Sequence, residues 1–223
     1  MKIFNDFIRF IKKPELSTPV SLKFGQIIVL IIKSLLLYFI FLVISVVFFI
    51  PLSLFDLIPD LPKRQLSDSL WIIGIGPVIE EMIFRFPLKN FFKNIFISIA
   101  ILFFVFVKKY IGIPLTTLIA LLIASLPYIV TFRNEGERII NSLVKNNYPY
   151  FFYFITLFFG FLHLSNLNNL TSSHYIVSPV IVLYQIQLGL YLGFLRVKYK
   201  AGIFYSIFVH AIFNSVPIVI KLI

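Results

Sequence analysis

A run of 27 residues, from 27 to 53, contains a single charged side chain, Lys33. An α-helix needs about 20 consecutive apolar residues to cross the hydrocarbon core of a bilayer. The rest of the chain has a similar character, because 60% of its 223 residues are hydrophobic and only 13% are charged. Soluble domains carry roughly 25% charged residues. The chain is therefore predicted to be an integral membrane protein.

Apolar stretches recur along the sequence, and lipid offers no partner to an unpaired backbone group, so each stretch is predicted to be helical. The predicted fold class is all-α, a polytopic transmembrane bundle of about seven helices. The predicted spans are 27–53, 70–88, 92–107, 112–132, 149–166, 176–196 and 202–220. The segment 133–147, RNEGERIINSLVKNN, is interpreted as the main polar connecting loop.

The N-terminal segment 2–13, KIFNDFIRFIKK, alternates apolar and basic side chains at helical spacing. This pattern predicts a basic amphipathic helix at the membrane surface, ended by Pro14. The chain is accordingly divided into three parts. These are an amphipathic N-terminal segment (1–25), a first transmembrane helix with its loop (26–69), and a membrane domain that holds the site residues (70–223).

Lysine and arginine are divided unevenly between the two sides of these spans. With the N-terminus inside, 14 lie in inner segments and 5 in outer ones, and Lys33 lies within the first span. Cytoplasmic segments carry the excess of such residues, so a cytoplasmic N-terminus is predicted. These flanks also account for the net charge of +11. Because they form no dense basic patch, nucleic acid is not predicted as a partner; the lipid bilayer is.

Residues 74–88, GIGPVIEEMIFRFPL, place two glutamates and an arginine inside an apolar stretch. A charge at the bilayer centre costs roughly 2.5 to 3.5 kcal/mol on insertion scales, which makes such residues candidates for function. Glu81 and Arg85 are four residues apart, in the favourable order for an ion pair on one helical face. Glu80 lies about 100° round the helix. Glu81 is therefore predicted to be structural and Glu80 to be free for chemistry.

Two further polar groups interrupt apolar spans. FGFLH ends in His163, and HAIFN begins with His210 and ends with Asn214 on the same helical face. If the three helices bring these residues to Glu80, they supply a general base, a second proton-transfer group and hydrogen-bond donors for an oxyanion. The alternative is structural, because histidine and asparagine also hydrogen-bond between packed membrane helices, and a Glu–Arg pair can be a buried ion pair without chemistry.

Three motifs, in order, resemble those of a known family. EEMIFR at 80–85, FGFLH at 159–163 and HAIFN at 210–214 fit the patterns EExxxR, FxxxH and HxxxN. These are the motifs of the CPBP family, the CAAX-protease and bacteriocin-processing intramembrane proteases, also called ABI, which include the type II CAAX prenyl endopeptidases. The resemblance covers about 80–223. It implies an intramembrane endopeptidase that acts on a membrane-associated protein or peptide in a bacterial inner membrane.

The resemblance implies a role for each matched residue. Glu80 would activate water, and His163 would share the transfer of its proton. His210 and Asn214 would stabilise the tetrahedral oxyanion. The supporting residues would be Glu81, Arg85 and Phe159.

No cofactor is firmly predicted, and zinc stays an open alternative because family names often include the word metalloprotease. Against zinc, no HExxH-type pair of ligands lies on one helix. If zinc is bound, its ligands would be Glu80, His163 and His210.

Other classes of protein also stay open. One is a membrane protein of binding or immunity type on the same scaffold, without chemistry. Another is a proton-coupled transporter, since intramembrane Glu and His also form proton relays, although no inverted repeat is visible. Three remaining polar or aromatic residues are interpreted as structural: His174 in a polar loop, and Trp71 and Tyr184 in interfacial belts or packing.

Overall fold

The residues that the structure describes, 2–60, 68–129 and 134–222, fold almost entirely as helices in this computed structural model. The predicted all-α fold class is confirmed. The described α-helices are α1 (Lys2–Lys12), α2 (Phe24–Leu54), α3 (Gly76–Phe84), α4 (Phe91–Ile111), α5 (Ile113–Ile129), α6 (Asn134–Asn146), α7 (Tyr148–Leu162), α8 (Ser172–Ile176), α9 (Ser178–Ile181), α10 (Leu183–Lys198) and α11 (Gly202–Leu222). A π-helical segment, Trp71–Ile75, leads into α3, and 3₁₀ turns follow α3 (Phe86–Leu88) and α7 (His163–Asn166).

Several of these helices are long and apolar enough to cross a membrane. Within the described ranges they are four: Phe24–Leu54, Phe91–Ile111, Tyr148–Asn166 and Gly202–Val219. The apolar helix Ile113–Tyr128 is shorter. Large apolar side chains such as Leu36 and Val43 of α2 lie on the outer surface, 61% and 63% exposed. Soluble monomers rarely expose apolar surface on this scale, so the chain is a membrane protein.

Two predicted spans are not continuous helices. The predicted span 70–88 contains three helical types in succession, and α3 ends at Phe84 just before Pro87 in the 3₁₀ turn. The predicted span 176–196 is interrupted where Pro179 opens the short helix α9. Proline lacks an N–H group and disfavours helical geometry at the residue before it. Hydropathy alone did not register these breaks.

The segment 133–147, predicted as a loop, is largely the helix α6, so this prediction was wrong. Ile140 and Val144 recur at helical spacing and are half-buried. The Asn141 side chain accepts a hydrogen bond from the Phe92 amide at 3.1 Å, which ties α6 to the start of α4. The polar composition of the segment concealed an amphipathic period of 3.6 residues.

The N-terminal helix α1 forms as predicted and ends before Pro14, but its apolar face is turned toward the protein. Phe7 is 3% exposed, and its ring meets the Tyr191 ring of α10 edge-on, 5.3 Å between centroids. The Tyr153 hydroxyl of α7 donates a hydrogen bond to the Ile11 carbonyl. The helix is therefore docked on α7 and α10.

Hydrogen bonds between connecting segments define two faces of the bundle. Lys89 Nζ donates to the Tyr199 carbonyl at 3.0 Å on one face, and the Asn168 amide donates to the Asp60 carbonyl at 3.1 Å on the other. The N-terminal face contains residues 2–23, 86–93, 134–148 and 196–202. The distal face contains residues 54–60, 68–70, 108–113 and 163–183.

Helix α10 occupies the centre of the bundle, and glycines let its neighbours approach it closely. A Cβ atom on Gly160 of α7 would lie 2.5 Å from Ile186 Cγ1 of α10. A Cβ atom on Gly202, at the start of α11, would lie 2.4 Å from the Leu195 carbonyl oxygen. Small residues at these contacts bring α7, α10 and α11 together, and with them the second and third sequence motifs.

Candidate active site

The two glutamates enter the bundle on α3, directly after the π-helical segment. Gly76 is required at this junction because a Cβ atom there would lie 2.9 Å from the Trp71 carbonyl oxygen. Pro77 lies in the first turn of α3 and has no N–H group to donate back to the π-helical segment. Short π-helical turns are frequent at functional sites. Here the turn carries Glu80 and Glu81 to the centre of the bundle.

Glu81 and Arg85 form the predicted ion pair, with 3.6 Å between Oε2 and Nε, and both side chains are buried. The guanidinium of Arg85 lies over the Phe159 ring, 3.8 Å from its centroid. No acceptor among the described residues makes a hydrogen bond to Arg85 Nη1 or Nη2. The negative face of the aromatic ring therefore provides attraction where a second carboxylate would otherwise be expected.

Arg196 of α10 fixes the end of α3 on the same side. Its Nε donates to the Arg85 carbonyl at 3.1 Å, and its Nη2 donates to the Phe86 carbonyl at 3.3 Å. The last carbonyl groups of a helix have no partner within the helix. Arg196 supplies the missing hydrogen-bond donor and so fixes the backbone of Arg85 in position.

His163 directly follows α7 and points toward Glu80. Its Nδ1 lies 2.8 Å from the Phe159 carbonyl, and because a carbonyl can only accept, Nδ1 carries the proton. Its Nε2 lies 3.8 Å from Glu80 Oε2. The hydrogen bond to Phe159 thus sets both the orientation of the imidazole and the tautomer that it adopts when neutral.

His210 of α11 lies between the two glutamates. Its Nδ1 is 3.0 Å from Glu81 Oε1 and its Nε2 is 3.6 Å from Glu80 Oε2. Since a carboxylate accepts, Nδ1 is the donor to Glu81. The sequence predicted Glu81 as the partner of Arg85, but the structure shows that Glu81 also orients His210, which is 2% exposed.

Asn214 lies one helical turn after His210 and lines the same cavity. Its Nδ2 donates to the Ile72 carbonyl at 3.0 Å, within the π-helical segment. An amide NH₂ group carries two donors, so one N–H is used for this contact and a second is left. Asn214 therefore ties α11 to the π-helical segment as well as facing the cavity.

These side chains surround a cavity of about 470 Å³. Leu188 and His210 form its buried inner wall, and the exposed residues Asp68 and Asn166 form its rim. The predicted convergence in one cavity is therefore confirmed for the four residues named from the sequence: Glu80, His163, His210 and Asn214.

Sequence reasoning missed several residues of the cavity. Trp71 and Tyr184, interpreted as belt or packing residues, line it, and so does Gln185. Gln185 Oε1 is buried and has no hydrogen-bond partner among the described residues. A polar side chain in the apolar stretch of α10 was the available signal. Ser206, one turn before His210, is buried, and its hydroxyl donates to the Ile203 carbonyl at 2.9 Å.

His174 lies outside the cavity, and its contacts agree with the structural interpretation. Its Nδ1 accepts from the Thr171 amide at 2.9 Å and lies 2.9 Å from Thr171 Oγ1. These bonds form a cap at the start of the short helix α8.

No group of three or more His, Cys, Asp or Glu side chains in the described ranges is arranged to hold a metal ion. The residues named from the sequence as possible zinc ligands lie close together, with Glu80 Oε2 3.8 Å from His163 Nε2 and 3.6 Å from His210 Nε2. Both Nδ1 atoms are hydrogen-bonded, so a metal, if bound, would be held by the two Nε2 atoms and Glu80. No chemical step below passes through zinc.

No family model matches the chain, and the comparisons with curated proteins and with solved structures found no match. The resemblance to the CPBP family accordingly stays a prediction from the three sequence motifs. The geometry that brings those motifs together is an observation independent of the resemblance.

Proposed function

We propose that the protein is an intramembrane endopeptidase of CPBP type, in which Glu80 activates the water that hydrolyses a peptide bond. One observation carries this proposal. Both histidines use Nδ1 to donate to fixed acceptors, so both Nε2 atoms face the same oxygen, Glu80 Oε2. Three atoms that can all accept a proton thus share one space beside a cavity, which is the arrangement that general acid–base catalysis requires.

The charges of the site support the same reading. Glu80 and Glu81 supply two negative charges and Arg85 supplies one positive charge, so one additional proton would neutralise the group. When His210 carries a proton on Nε2 as well as on Nδ1, Glu81 stabilises the imidazolium through its hydrogen bond to Nδ1. Glu80 would then remain ionised and able to act as the base.

In the proposed reaction a water oxygen attacks the carbonyl carbon of the substrate while Glu80 accepts the water proton. The tetrahedral oxyanion that forms is stabilised by Nε2–H of His210 and by the second N–H of Asn214. His163 relays a proton from Glu80 to the leaving nitrogen as the C–N bond breaks. The remaining hydroxyl proton of the intermediate then passes to the released amine, so the products are a carboxylate and an ammonium group and Glu80 is again ionised.

The cavities support a short, extended and apolar substrate segment. The site cavity, about 470 Å³, falls within the 300–1,000 Å³ typical of ligand sites. A helix with its side chains is about 10–12 Å across, so little more than one turn would fit. A second cavity of about 530 Å³, lined mainly by apolar side chains, adjoins at Trp71. These features favour a membrane-associated protein or peptide as the substrate. The proposed location in a bacterial inner membrane rests on the resemblance alone, and the proposed cytoplasmic N-terminus rests on the distribution of lysine and arginine.

The test compares the termini of membrane proteins in host cells that carry the wild type or Glu80→Gln. We expect a set of new termini that depends on Glu80. The matched control is Glu137→Gln, since Glu137 lies in α6 beside Lys93 and far from the cavity. Identical termini in wild type and Glu80→Gln would reject the peptidase and favour a binding protein on the same scaffold.

A further inference from the structure

We propose that the catalytic cavity opens to the non-cytoplasmic face of the membrane, and that its substrates are peptide segments exposed on that face. The substrate half of this proposal rests on the proposed peptidase function, whereas the orientation half does not depend on catalysis. Two separate observations carry it. One is where the cavity opens in the bundle, and the other is how positive charge is divided between the two faces.

The cavity opens at the distal face. His163 directly follows the end of α7, and Asn166, which closes the 3₁₀ turn, lies exposed on the rim. Asp68, just before the π-helical segment, is exposed on the opposite part of the rim. Glu80 retains 33% of its side-chain exposure. Its side chain is therefore partly accessible from the cavity, while Oε2, the oxygen that faces the two histidines, is itself buried.

The site is closed toward the N-terminal face. Below Glu80 the space is filled by Arg85, Phe84 and Phe159, which are 1%, 4% and 0% exposed. Phe152 fills the next layer so tightly that a Cβ atom on Gly193 would lie 2.6 Å from its ring. Among the residues described, none from the N-terminal face lines the cavity. A substrate therefore has to arrive from the distal side.

Positive charge is concentrated on the N-terminal face. Its described basic side chains are Arg9, Lys12, Lys13, Lys23, Lys89, Lys93, Arg138, Lys145, Arg196, Lys198 and Lys200. Lys108 and Lys109 lie at the distal face, at the end of α4. The whole sequence divides as 14 against 5. Leaving out Arg85 and Arg196, whose side chains are buried, still gives 12 against 5, and such a bias places the N-terminal face in the cytoplasm.

The two observations together specify the substrate class. If the basic N-terminal face is cytoplasmic, the rim residues Asp68 and Asn166 face the periplasm or cell exterior. The scissile bond then belongs to an exported or membrane-anchored protein. It lies in a segment at the non-cytoplasmic surface of the same membrane. That segment has to be extended where it enters the cavity, because a continuous helix would not fit.

The chain contains no cysteine, so single-cysteine variants can report orientation without background. Exposed serines occur on both faces and allow matched Ser→Cys changes. On the distal face the variants are Ser165→Cys and Ser173→Cys. On the N-terminal face they are Ser17→Cys and Ser142→Cys. Because each face has two variants, the orientation can still be measured if one of them does not fold.

The probe is a membrane-impermeant maleimide, applied to right-side-out and to inside-out vesicles from a bacterial host. We expect the distal variants to react in right-side-out vesicles and the N-terminal variants to react in inside-out vesicles. Detergent-solubilised samples should label in all four cases and show that each cysteine is accessible. The reverse pattern, or equal labelling of all variants from both sides, would overturn the orientation.

The substrate half is tested by the position of the cleaved termini in the comparison of wild type with Glu80→Gln. We expect the Glu80-dependent termini to lie in non-cytoplasmic segments of their proteins, and cytoplasmic termini would overturn the substrate class. If the labelling pattern is as expected but no terminus depends on Glu80, the peptidase function fails and the orientation stands.

Discussion

The guanidinium carbon of Arg85 lies 3.8 Å from the centre of the Phe159 ring. The aromatic residue of the motif FGFLH therefore contacts the arginine that pairs with Glu81 in the motif EEMIFR. Phe159 also supplies the carbonyl that fixes His163. Its ring meets the His163 ring edge-on, with 4.7 Å between centroids. One buried phenylalanine thereby links the arginine of α3 to the histidine at the end of α7.

Replacing Phe159 with leucine is expected to destabilise the protein by more than the loss of apolar contact alone. A desolvated cation–π contact contributes about 2 kcal/mol, and Arg85 has no other described partner on that side. Thermal unfolding of the purified protein in detergent measures the effect. Phe154→Leu is the matched control, since Phe154 lies on the same helix and is 63% exposed. Equal losses in the two variants would contradict the role of the ring.

Glu81→Gln and Glu80→Gln are expected to have different phenotypes. Glu81→Gln leaves Arg85 without its carboxylate and weakens the orientation of His210, and breaking a buried ion pair costs roughly 3–5 kcal/mol. That variant should accumulate poorly in membranes. Glu80→Gln should accumulate close to the wild type and lack cleavage activity, because the Glu80 side chain is 33% exposed and, unlike Glu81, is not the ion-pair partner of Arg85. Immunoblots of membrane fractions, with cleavage measured on the same samples, provide the readout, and exchanged phenotypes would reassign the two roles.

Asn214→Ala is expected to lower cleavage while leaving client binding near the wild-type level. Loss of one oxyanion donor lowers turnover by about 10² to 10³ in the best-studied case, and such contacts act mainly in the transition state. The measurements are the cleavage rate and the amount of client that co-purifies. Loss of binding together with cleavage, or full retention of cleavage, would assign this residue to packing or recognition.

The same variant should alter the environment of the only tryptophan in the chain, Trp71. Asn214 donates to the Ile72 carbonyl, so its removal frees the π-helical segment that holds Trp71. A shift in the intrinsic fluorescence of Asn214→Ala, with none in Glu80→Gln, would separate this tether from the oxyanion role. An unchanged emission spectrum would show that the segment keeps its position without the amide.

Cleavage by the purified protein is expected to survive strong chelation, because in the proposed reaction Glu80 and His163 move the required protons without a Lewis acid. The measurement is the cleavage rate before and after incubation with a chelator, followed by dialysis. Activity that disappears on chelation and returns with one equivalent of zinc would assign Glu80, His163 and His210 as ligands.

The sequence allowed the helical class and the convergence of Glu80, His163, His210 and Asn214 to be predicted. Long apolar runs specify helices in lipid, and polar residues in such helices tend to face one another. The spacing of Glu81 and Arg85 was likewise sufficient to predict their ion pair. The helices and the ion pair depend on local sequence patterns, whereas the convergence was predicted from the joint occurrence of the three motifs.

Other features depend on packing between distant segments and could not be predicted in this way. The contact of His210 with Glu81 requires the relative rotation of α3 and α11, and the inclusion of Gln185 requires that of α10. The breaks at Pro87 and Pro179 could have been predicted from proline chemistry. The continuous hydropathy of both spans conceals these breaks. The polar composition of the segment 133–147 similarly conceals the amphipathic period of α6.

The π-helical segment Trp71–Ile75 carries one residue more per turn than its α-helical neighbours would. Rewinding it as α-helix would rotate the preceding residues by about 100° and shift them by about 1.5 Å along the axis relative to α3. Asp68 and Trp71, which line the cavity, would then change position relative to Glu80. The hydrogen bond from Asn214 to the Ile72 carbonyl opposes this change, so a side chain of α11 helps to set the shape of the cavity entrance formed by the segment before α3.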